Sequence, residues 1–214
     1  MTNAGAIAAA ADRNKAPISE ALCRLLAPGE MPEPAGPDTR PLLLEIASGT
    51  GQHAVHCSAI LPHLDWQPSD PDPAALESVA AHRRAAALPN LLPPLVLDVT
   101  AADWPVARAH ALFCANMIHI APWQAAIGLA AGAGRVLVPG ATAILYGPFR
   151  RDGRHTAASN AAFDESLRAR DPDWGVRDLE AVAALFDTAG FGLGEVIEMP
   201  ANNLMLRFRR TGVA

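Results

Sequence analysis

Short apolar runs alternate with longer segments of helical periodicity along most of the chain. The apolar runs predict strands at 41–46, 64–68, 95–97, 109–115 and 141–146, and a closing pair at 194–199 and 204–209. Helical spacing predicts helices at 12–26, 52–61, 73–87, 123–133, 160–170 and 177–189. This alternation is typical of an α/β fold with a doubly wound, mostly parallel sheet and helices on both faces. The link at 200–203 is short, so we expect the closing strands to be antiparallel.

A stretch rich in proline and glycine at 27–41 interrupts this pattern. It separates a first helix from the alternating body, and that helix carries its apolar residues on one side: Ile18, Leu22, Leu25 and Leu26. The length of 214 residues suits one domain. We therefore expect a single domain over 1–214, in which residues 1–40 form an N-terminal helical appendage and its link.

Composition and charge exclude several classes of protein. Half of the residues are apolar, and the formal net charge is −5, so neither nucleic acid nor an anionic membrane surface is expected as a partner. No run of 18 uncharged apolar residues predicts a membrane span, and residues 1–11 lack the basic start of a signal peptide. Three cysteines without a CxxC pair, Cys23, Cys57 and Cys114, predict a reduced, cytoplasmic chain with no disulfide framework and no zinc site.

A glycine-rich loop at 45–51 follows the first predicted strand and opens a helix. Two motifs fit it. Gly49, Gly51 and Ala54 match the G-x-G-x-x-G/A fingerprint of dinucleotide-binding proteins. Residues 45–51 also match the acid-x-G-x-G-x-G loop of Rossmann-like methyltransferases, with Glu45 as the acid and Ala47 at the first glycine position.

Three acidic residues at predicted strand ends favour the second motif. Glu45 would repel a pyrophosphate, whereas it suits the ammonium and sulfonium of S-adenosylmethionine (SAM). Asp70 is placed to bind ribose hydroxyls under either motif, and Asp98 to accept the adenine amino group. The alternative is that these aspartates are turn or cap residues.

The chain also resembles a known family over nearly its whole length. The resemblance lies in the blocks at 10–18, 44–54, 66–70, 97–100, 116–120, 146–149, 174–178 and 199–203. Among them, 10–18 reads AADRNKAPI and 44–54 reads LEIASGTGQHA. These blocks resemble methyltransferase-like protein 26 and its bacterial relatives, a family long carried as a domain of unknown function. Alanine at the position of Ala47 is usual in that family.

The resemblance implies a class I methyltransferase fold, with seven strands of which the last is antiparallel. It further implies SAM as methyl donor and S-adenosylhomocysteine (SAH) as product, but no particular acceptor. The predicted donor site consists of Glu45, Ala47, Ser48, Gly49, Gly51, Asp70, Asp98, Asn116 and Met117.

Three residues are candidates for the chemistry of methyl transfer, which needs alignment and a correctly protonated nucleophile. His119 is a candidate general base, the alternative being a histidine hydrogen-bonded at a strand end. Tyr146, the only tyrosine, is a candidate for orienting the acceptor, or else a wall residue with a satisfied hydroxyl. Arg177 at the start of the late helix is a candidate for binding an anionic acceptor, or else a partner of Asp173 or Asp178.

Substrate contacts are predicted for Asn202 and Asn203 in the last link and for Arg13 at the start of the first helix. The asparagines are equally natural turn residues, and the polar start of the helix is either a lid or a solvated end. We therefore expect a SAM-dependent methyltransferase that acts on a small, polar or anionic acceptor. A non-catalytic protein that binds SAM or SAH and an NAD(P)-dependent Rossmann oxidoreductase stay open as alternatives, as does the oligomeric state.

Overall fold

A seven-stranded sheet with helices on both faces forms the body of the molecule. The computed structural model describes residues 7–34, 36 and 39–211. The helices are α1 Ala9–Leu25, α2 Gln52–Ile60, α3 Pro73–Ala86, α4 Trp123–Val136, α5 Ala158–Arg170 and α6 Leu179–Thr188. The strands are β1 Leu42–Ile46, β2 Asp65–Asp70, β3 Leu95–Val96, β4 Ala109–Ala115, β5 Leu137–Gly147, β6 Phe149–Arg151, β7 Arg154–His155, β8 Arg177–Asp178, β9 Phe191–Met199 and β10 Asn203–Arg210.

The strand order confirms the predicted fold class. In the large sheet the order is β3-β2-β1-β4-β5-β10-β9. Strand β10 is antiparallel to both β5 and β9, and the pairs from β3 to β5 are parallel. The order reverses between β1 and β4, which is where ligands bind in open α/β sheets. We call the side of the sheet where β1, β2, β4 and β5 end the carboxyl edge.

The chain also contains a small second sheet that the apolar pattern does not predict. Its order is β7-β6-β8, and its strands are two or three residues long, too short to show a strand period. Arg177 lies on β8, and α6 begins only at Leu179. The prediction that Arg177 opens the late helix was therefore wrong.

Buried apolar side chains cover both faces of the large sheet. One cluster joins the sheet to α4 and α6, and includes Leu129, Phe186 and Phe208. The other joins it to α1 and α2. The four apolar residues predicted on one side of the first helix are all fully buried in this second cluster. Among the described residues, no helix has the length and apolarity needed to cross a membrane.

Candidate functional site

The glycine loop is built from alternating left-handed residues. Ala47, Gly49 and Gly51 have φ angles of 54°, 55° and 84°. A Cβ on Gly51 would lie 2.9 Å from the Cα of Val79 in α3, so glycine is required there for close packing. A Cβ on Gly49 would meet no atom within 4 Å. The loop therefore has a packed side at Gly51 and an open side at Gly49.

Glu45 lies beneath this loop, with its carboxylate turned into the protein. It is 2% exposed, and its Oε2 accepts hydrogen bonds from Ser48 Oγ at 2.8 Å and Trp66 Nε1 at 3.0 Å. Ser48 Oγ in turn accepts the backbone N–H of Ser69 at 3.1 Å, which ties the loop to β2. Burial raises the pKa of Glu45 to about 7. Glu45 and Ser48 thus hold the shape of the loop, and the interaction predicted between Glu45 and the cationic groups of SAM, directly or through a water, stays a prediction.

Asp70 is the last residue of β2, and Asp98 follows two residues after the end of β3. Asp70 accepts the backbone N–H of Gly49 at 2.9 Å on Oδ2 and that of Asp72 at 3.0 Å on Oδ1. Asp98 is exposed, and its Oδ1 accepts both the N–H and the hydroxyl of Thr100 at 2.8 Å. Both aspartates therefore accept hydrogen bonds within their own turns, as expected if they were turn or cap residues. Each carboxylate keeps lone pairs beyond these contacts for a ligand hydroxyl or amino group.

The end of β4 continues into a tight turn that contains Asn116, Met117 and His119. Asn116 has a left-handed φ of 60°, donates its N–H to Tyr146 O at 2.7 Å and accepts from the N–H of His119 at 3.0 Å. Met117 is buried in the first core cluster. These bonds fix Asn116 at the carboxyl edge, beside the glycine loop that follows the neighbouring strand β1.

His119 is fully buried, and its ring is oriented by the backbone. Nδ1 accepts the N–H of Arg177 at 3.3 Å, and the ring packs edge-on to Phe149 with centroids 4.9 Å apart. Burial, with a smaller effect of the Arg177 charge, lowers the pKa of His119 to about 3. The ring is thus closed off from solvent and held by the backbone of 175–177, and the role of His119 as a general base stays a prediction.

Arg177 binds backbone carbonyls of the neighbouring turns. Its Nε donates to Ile118 O at 2.9 Å, and its Nη2 donates to Ala121 O and Asp173 O, each at 2.7 Å. The guanidinium also lies 5.7 Å from the ring centroid of Trp123. These contacts tie β8 to the turn after β4. Among the described residues Arg177 forms no salt bridge with Asp173 or Asp178, and its binding of an anionic acceptor stays a prediction.

Tyr146 belongs to a polar cluster that sequence reasoning missed. Its hydroxyl is hydrogen-bonded to the side chain of Asn14, and Asn14 Oδ1 pairs with His53 Nε2 at 2.8 Å. Burial lowers the pKa of His53 to about 4, so its ring is neutral. The cluster joins α1, α2 and β5 at the carboxyl edge. In the sequence, the resemblance of the block at 10–18 was the signal that could have indicated this cluster, because that block includes Asn14.

The predicted substrate residues are dispersed. Asn203 starts β10 and donates to Pro200 O at 3.0 Å, within its own turn. Asn202 donates to Ser159 Oγ at 3.0 Å, so it ties that turn to α5. Arg13 is exposed on the first half of α1. The β9–β10 turn does lie at the carboxyl edge, since Leu204 pairs with Gly147.

Solved structures with similar folds include methyltransferases. An O-methyltransferase family protein from Burkholderia thailandensis aligns at a TM-score of 0.73 and 16% identity, over 94% of this chain and 60% of that one. PigF with SAH aligns at a TM-score of 0.73 and 13% identity, over 91% of this chain and 55% of that one. Human N-acetylserotonin methyltransferase in complex with SAM aligns at a TM-score of 0.68 and 14% identity, over 80% of this chain and 48% of that one.

At these identities the likeness shows a shared fold, that of Rossmann-like methyltransferases. The chain spans about half to three fifths of the length of these three structures. At the level of sequence, residues 5–210 match the model of a family described as "Protein of unknown function (DUF938)". This match covers nearly the entire chain, and the protein therefore belongs to the DUF938 family.

Proposed function

We propose that this protein is a SAM-dependent methyltransferase that acts on a small, polar acceptor, and that it is a relative of methyltransferase-like protein 26. The observation that carries the proposal is the open side of the glycine loop at Gly49, at the switch point of the sheet. Solved structures of the same fold support it, namely two methyltransferases, one of them in complex with SAM, and PigF with SAH. An anionic acceptor has less support, because the guanidinium of Arg177 is bound by carbonyls.

The residues around the loop fit the chemistry of SAM. When bound, SAM supplies an electrophilic methyl group on a sulfonium. Asp70 and Asp98 offer acceptor oxygens for hydroxyl and amino groups, and the buried acid Glu45 favours a cationic ligand when it is ionised. The same buried acid disfavours the pyrophosphate of a dinucleotide. The left-handed backbone of Gly49 leaves the space in which a ligand approaches the loop closely.

Titration calorimetry with SAM, SAH and NADH tests this proposal. We expect the two sulfur compounds to bind with Kd values of about 1 μM, which corresponds to roughly −8 kcal/mol, and NADH not to bind. Binding of NADH alone would instead favour the oxidoreductase. Tight SAH binding without transfer to any of a broad panel of acceptors would favour the non-catalytic binding protein.

A pair of variants checks the location of the donor. Gly49→Val places a side chain on the open side of the loop and should abolish SAH binding. Gly29→Val is the matched control, because Gly29 also has a left-handed φ, 88°, and free space around it, but follows α1 far from the loop. Both substitutions strain the backbone by about 1–2 kcal/mol. Unchanged SAH affinity in a folded Gly49→Val protein would place the donor elsewhere.

A further inference from the structure

The first half of α1 lies at the carboxyl edge without burying any side chain. The half from Pro17 onwards is anchored in the second core cluster through Ile18, Leu22 and Leu25. Residues 9–16, in contrast, are exposed or half-buried throughout. A helical segment of this length is only marginally stable by itself in water. Its place on the protein must therefore come from its polar contacts.

The first of these contacts ties the start of the helix to the glycine loop. The backbone N–H of Ala8 donates to Oε1 of Gln52 at 2.6 Å. The same oxygen accepts the hydroxyl of Thr50, a residue of the loop, at 2.9 Å. A single side-chain oxygen thus connects the start of α1 with the loop that we assign to the ligand.

Asn14 makes the other contacts, farther along the helix. Its Oδ1 pairs with Nε2 of His53 at 2.8 Å, and its side chain is hydrogen-bonded to the hydroxyl of Tyr146. His53 belongs to the first turn of α2 and packs edge-on to Phe113 of β4, whereas Tyr146 lies at the end of β5. Residues 8–16 therefore lie over the carboxyl edge, between the glycine loop and the end of β5.

Pro17 forms a weak joint between the two halves of the helix. It has no N–H to donate to the carbonyl of Arg13, and its ring crowds that carbonyl, so the helical hydrogen bonds are interrupted at this point. Just beyond the joint, the hydroxyl of Ser19 donates to the carbonyl of Ala16 at 2.8 Å and pairs with Nε2 of His56 at 3.2 Å. The anchored half is thus fixed up to the joint, whereas the opposite end of the helix has no side-chain cap.

Opening at this joint breaks few interactions and uncovers polar groups. No buried apolar side chain leaves the core when residues 8–16 move. Each hydrogen bond that is lost changes the ratio of closed to open forms by about two- to tenfold. In the closed form His53 is 9% exposed and Tyr146 is 3% exposed. Both become accessible once the segment moves away, at the edge of the sheet where ligands bind in this class of fold.

We propose that residues 8–16 form a lid over the carboxyl edge, which turns at Pro17 and is latched by Asn14 and Gln52. The lid opens to admit a ligand to the glycine loop and closes over it. Because Gln52 contacts both the loop and the lid, a ligand that orders the loop also favours the closed form. The inference rests on the proposed function only for the identity of this ligand, SAM or SAH.

The rates of SAH binding, measured by surface plasmon resonance, test the latch. Asn14→Ala removes the contacts with His53 and Tyr146, so the lid opens more often, and we expect SAH to dissociate about three- to tenfold faster. Glu20→Ala, at an exposed position of the anchored half, is the control and should leave both rate constants unchanged. A dissociation rate in Asn14→Ala equal to that of the wild type would overturn the latch.

Pro17→Ala tests the joint and separates a lid from a residue that merely touches the ligand. Alanine restores the backbone N–H and its bond to residue 13, which stiffens the helix. We expect the association and dissociation rate constants of SAH to fall together, each by about threefold or more, while Kd stays within about twofold. Rate constants equal to those of the wild type would overturn the proposal, and so would a change in Kd that lies in the dissociation rate alone.

Tyr146 offers a test that needs no ligand, because it is the only tyrosine of the chain. Protein labelled with 3-fluorotyrosine gives a single fluorine-19 resonance, and the shift of this resonance between H2O and D2O measures the solvent exposure of the ring. We expect that shift to be small in the wild type, to rise about twofold or more in Asn14→Ala and to stay small in Glu20→Ala. An equally small shift in Asn14→Ala would overturn the lid.

The two proposals fail in different ways. A wild-type protein that does not bind SAH would overturn the proposed function, whereas the fluorine spectrum would still decide whether residues 8–16 open. SAH binding with unaltered rates in both Asn14→Ala and Pro17→Ala would overturn the lid and leave the proposed function intact.

Discussion

Glu45 brings an ionisable group into the interior, directly beneath the loop that we assign to the ligand. Both of its hydrogen bonds come from neutral donors, Ser48 and Trp66, and burial outweighs them. Its pKa therefore rises from 4.5 to about 7 in the folded protein. The folded state binds this proton more tightly than the unfolded state does. The protonated Glu45 therefore contributes to the stability of the folded state. This contribution is complete below about pH 4.5 and is lost as the pH rises through about 7.

We expect Glu45→Gln to remove this pH dependence, because a glutamine oxygen accepts the same two hydrogen bonds without carrying a charge. The free energy of unfolding in urea, measured at pH 5 and pH 8, should fall with pH in the wild type by up to about 3 kcal/mol more than in the variant. The buried rings of His53 and His119 make the free energy of unfolding rise with pH below pH 6.5. This effect is the same in the wild type and in Glu45→Gln, so it cancels when the two proteins are compared.

Glu77→Gln, at an exposed position of α3, is the control and should behave as the wild type. An equal change in the free energy of unfolding between pH 5 and pH 8 in Glu45→Gln and Glu77→Gln would contradict this prediction. It would mean that the carboxyl of Glu45 binds its proton no more tightly in the folded protein than in the unfolded one.

At the scale of elements, the two halves of α1 are held by different forces. The half from Pro17 onwards buries Ile18, Leu22 and Leu25. Residues 9–16 bury no side chain, and this region is tied down by polar contacts of Ala8 with Gln52 and of Asn14 with His53 and Tyr146. Pro17 cannot donate the backbone bond to residue 13, so the halves are joined more weakly than in a continuous helix.

This division predicts local opening of the first half of α1. Asn14→Ala should speed amide hydrogen exchange in residues 9–16 about fivefold, the equivalent of one hydrogen bond, and leave residues 18–25 unchanged. Exchange measured by mass spectrometry resolves the two halves. Glu20→Ala, an exposed change on the same helix, should have no effect on either. Faster exchange over the whole helix would show that α1 opens as one unit.

The strands that are easiest to predict contain a largely apolar run that ends in glycine or a polar residue, as β5 does at 141–146 before Gly147, whereas β2 has the mixed sequence DWQPSD. Helix α6 is different: the prediction placed its start at Arg177, because the polar residues before Leu179 do not distinguish a helix start from a short strand. Strand β8 exists because Phe149 and Arg150 pair with it, which is a contact distant in sequence.

The same limit applies to the candidate site. The positions of Glu45, Asp70, Asp98 and Asn116 at strand ends follow from the alternation of apolar runs and from the glycine motif. Their partners do not, because Trp66 and Ser69 reach the loop only through the pairing of β1 with β2. The sequence therefore indicates which residues gather at the carboxyl edge, but not which polar groups the protein itself already uses.

At the scale of the whole molecule, the glycine loop connects β2, α3 and the start of α1. It is bonded to β2 through Ser48 and Asp70, it packs on α3 at Gly51, and Gln52 beside it contacts the start of α1. A ligand seated on this loop stabilises the folded state as a whole, because none of these contacts exists in the unfolded chain.

SAH at 100 times its Kd should therefore add about 2.7 kcal/mol to the free energy of unfolding. For a chain of this size, that is a rise in Tm of about 5–10 °C, which a thermal melt monitored by circular dichroism resolves. Gly29→Val should show the same rise from its own lower starting point, whereas Gly49→Val should show none. A rise of equal size with SAH in Gly49→Val would mean that SAH does not lie on the open side of the loop, and a rise with NADH but not with SAH in the wild type would favour the oxidoreductase.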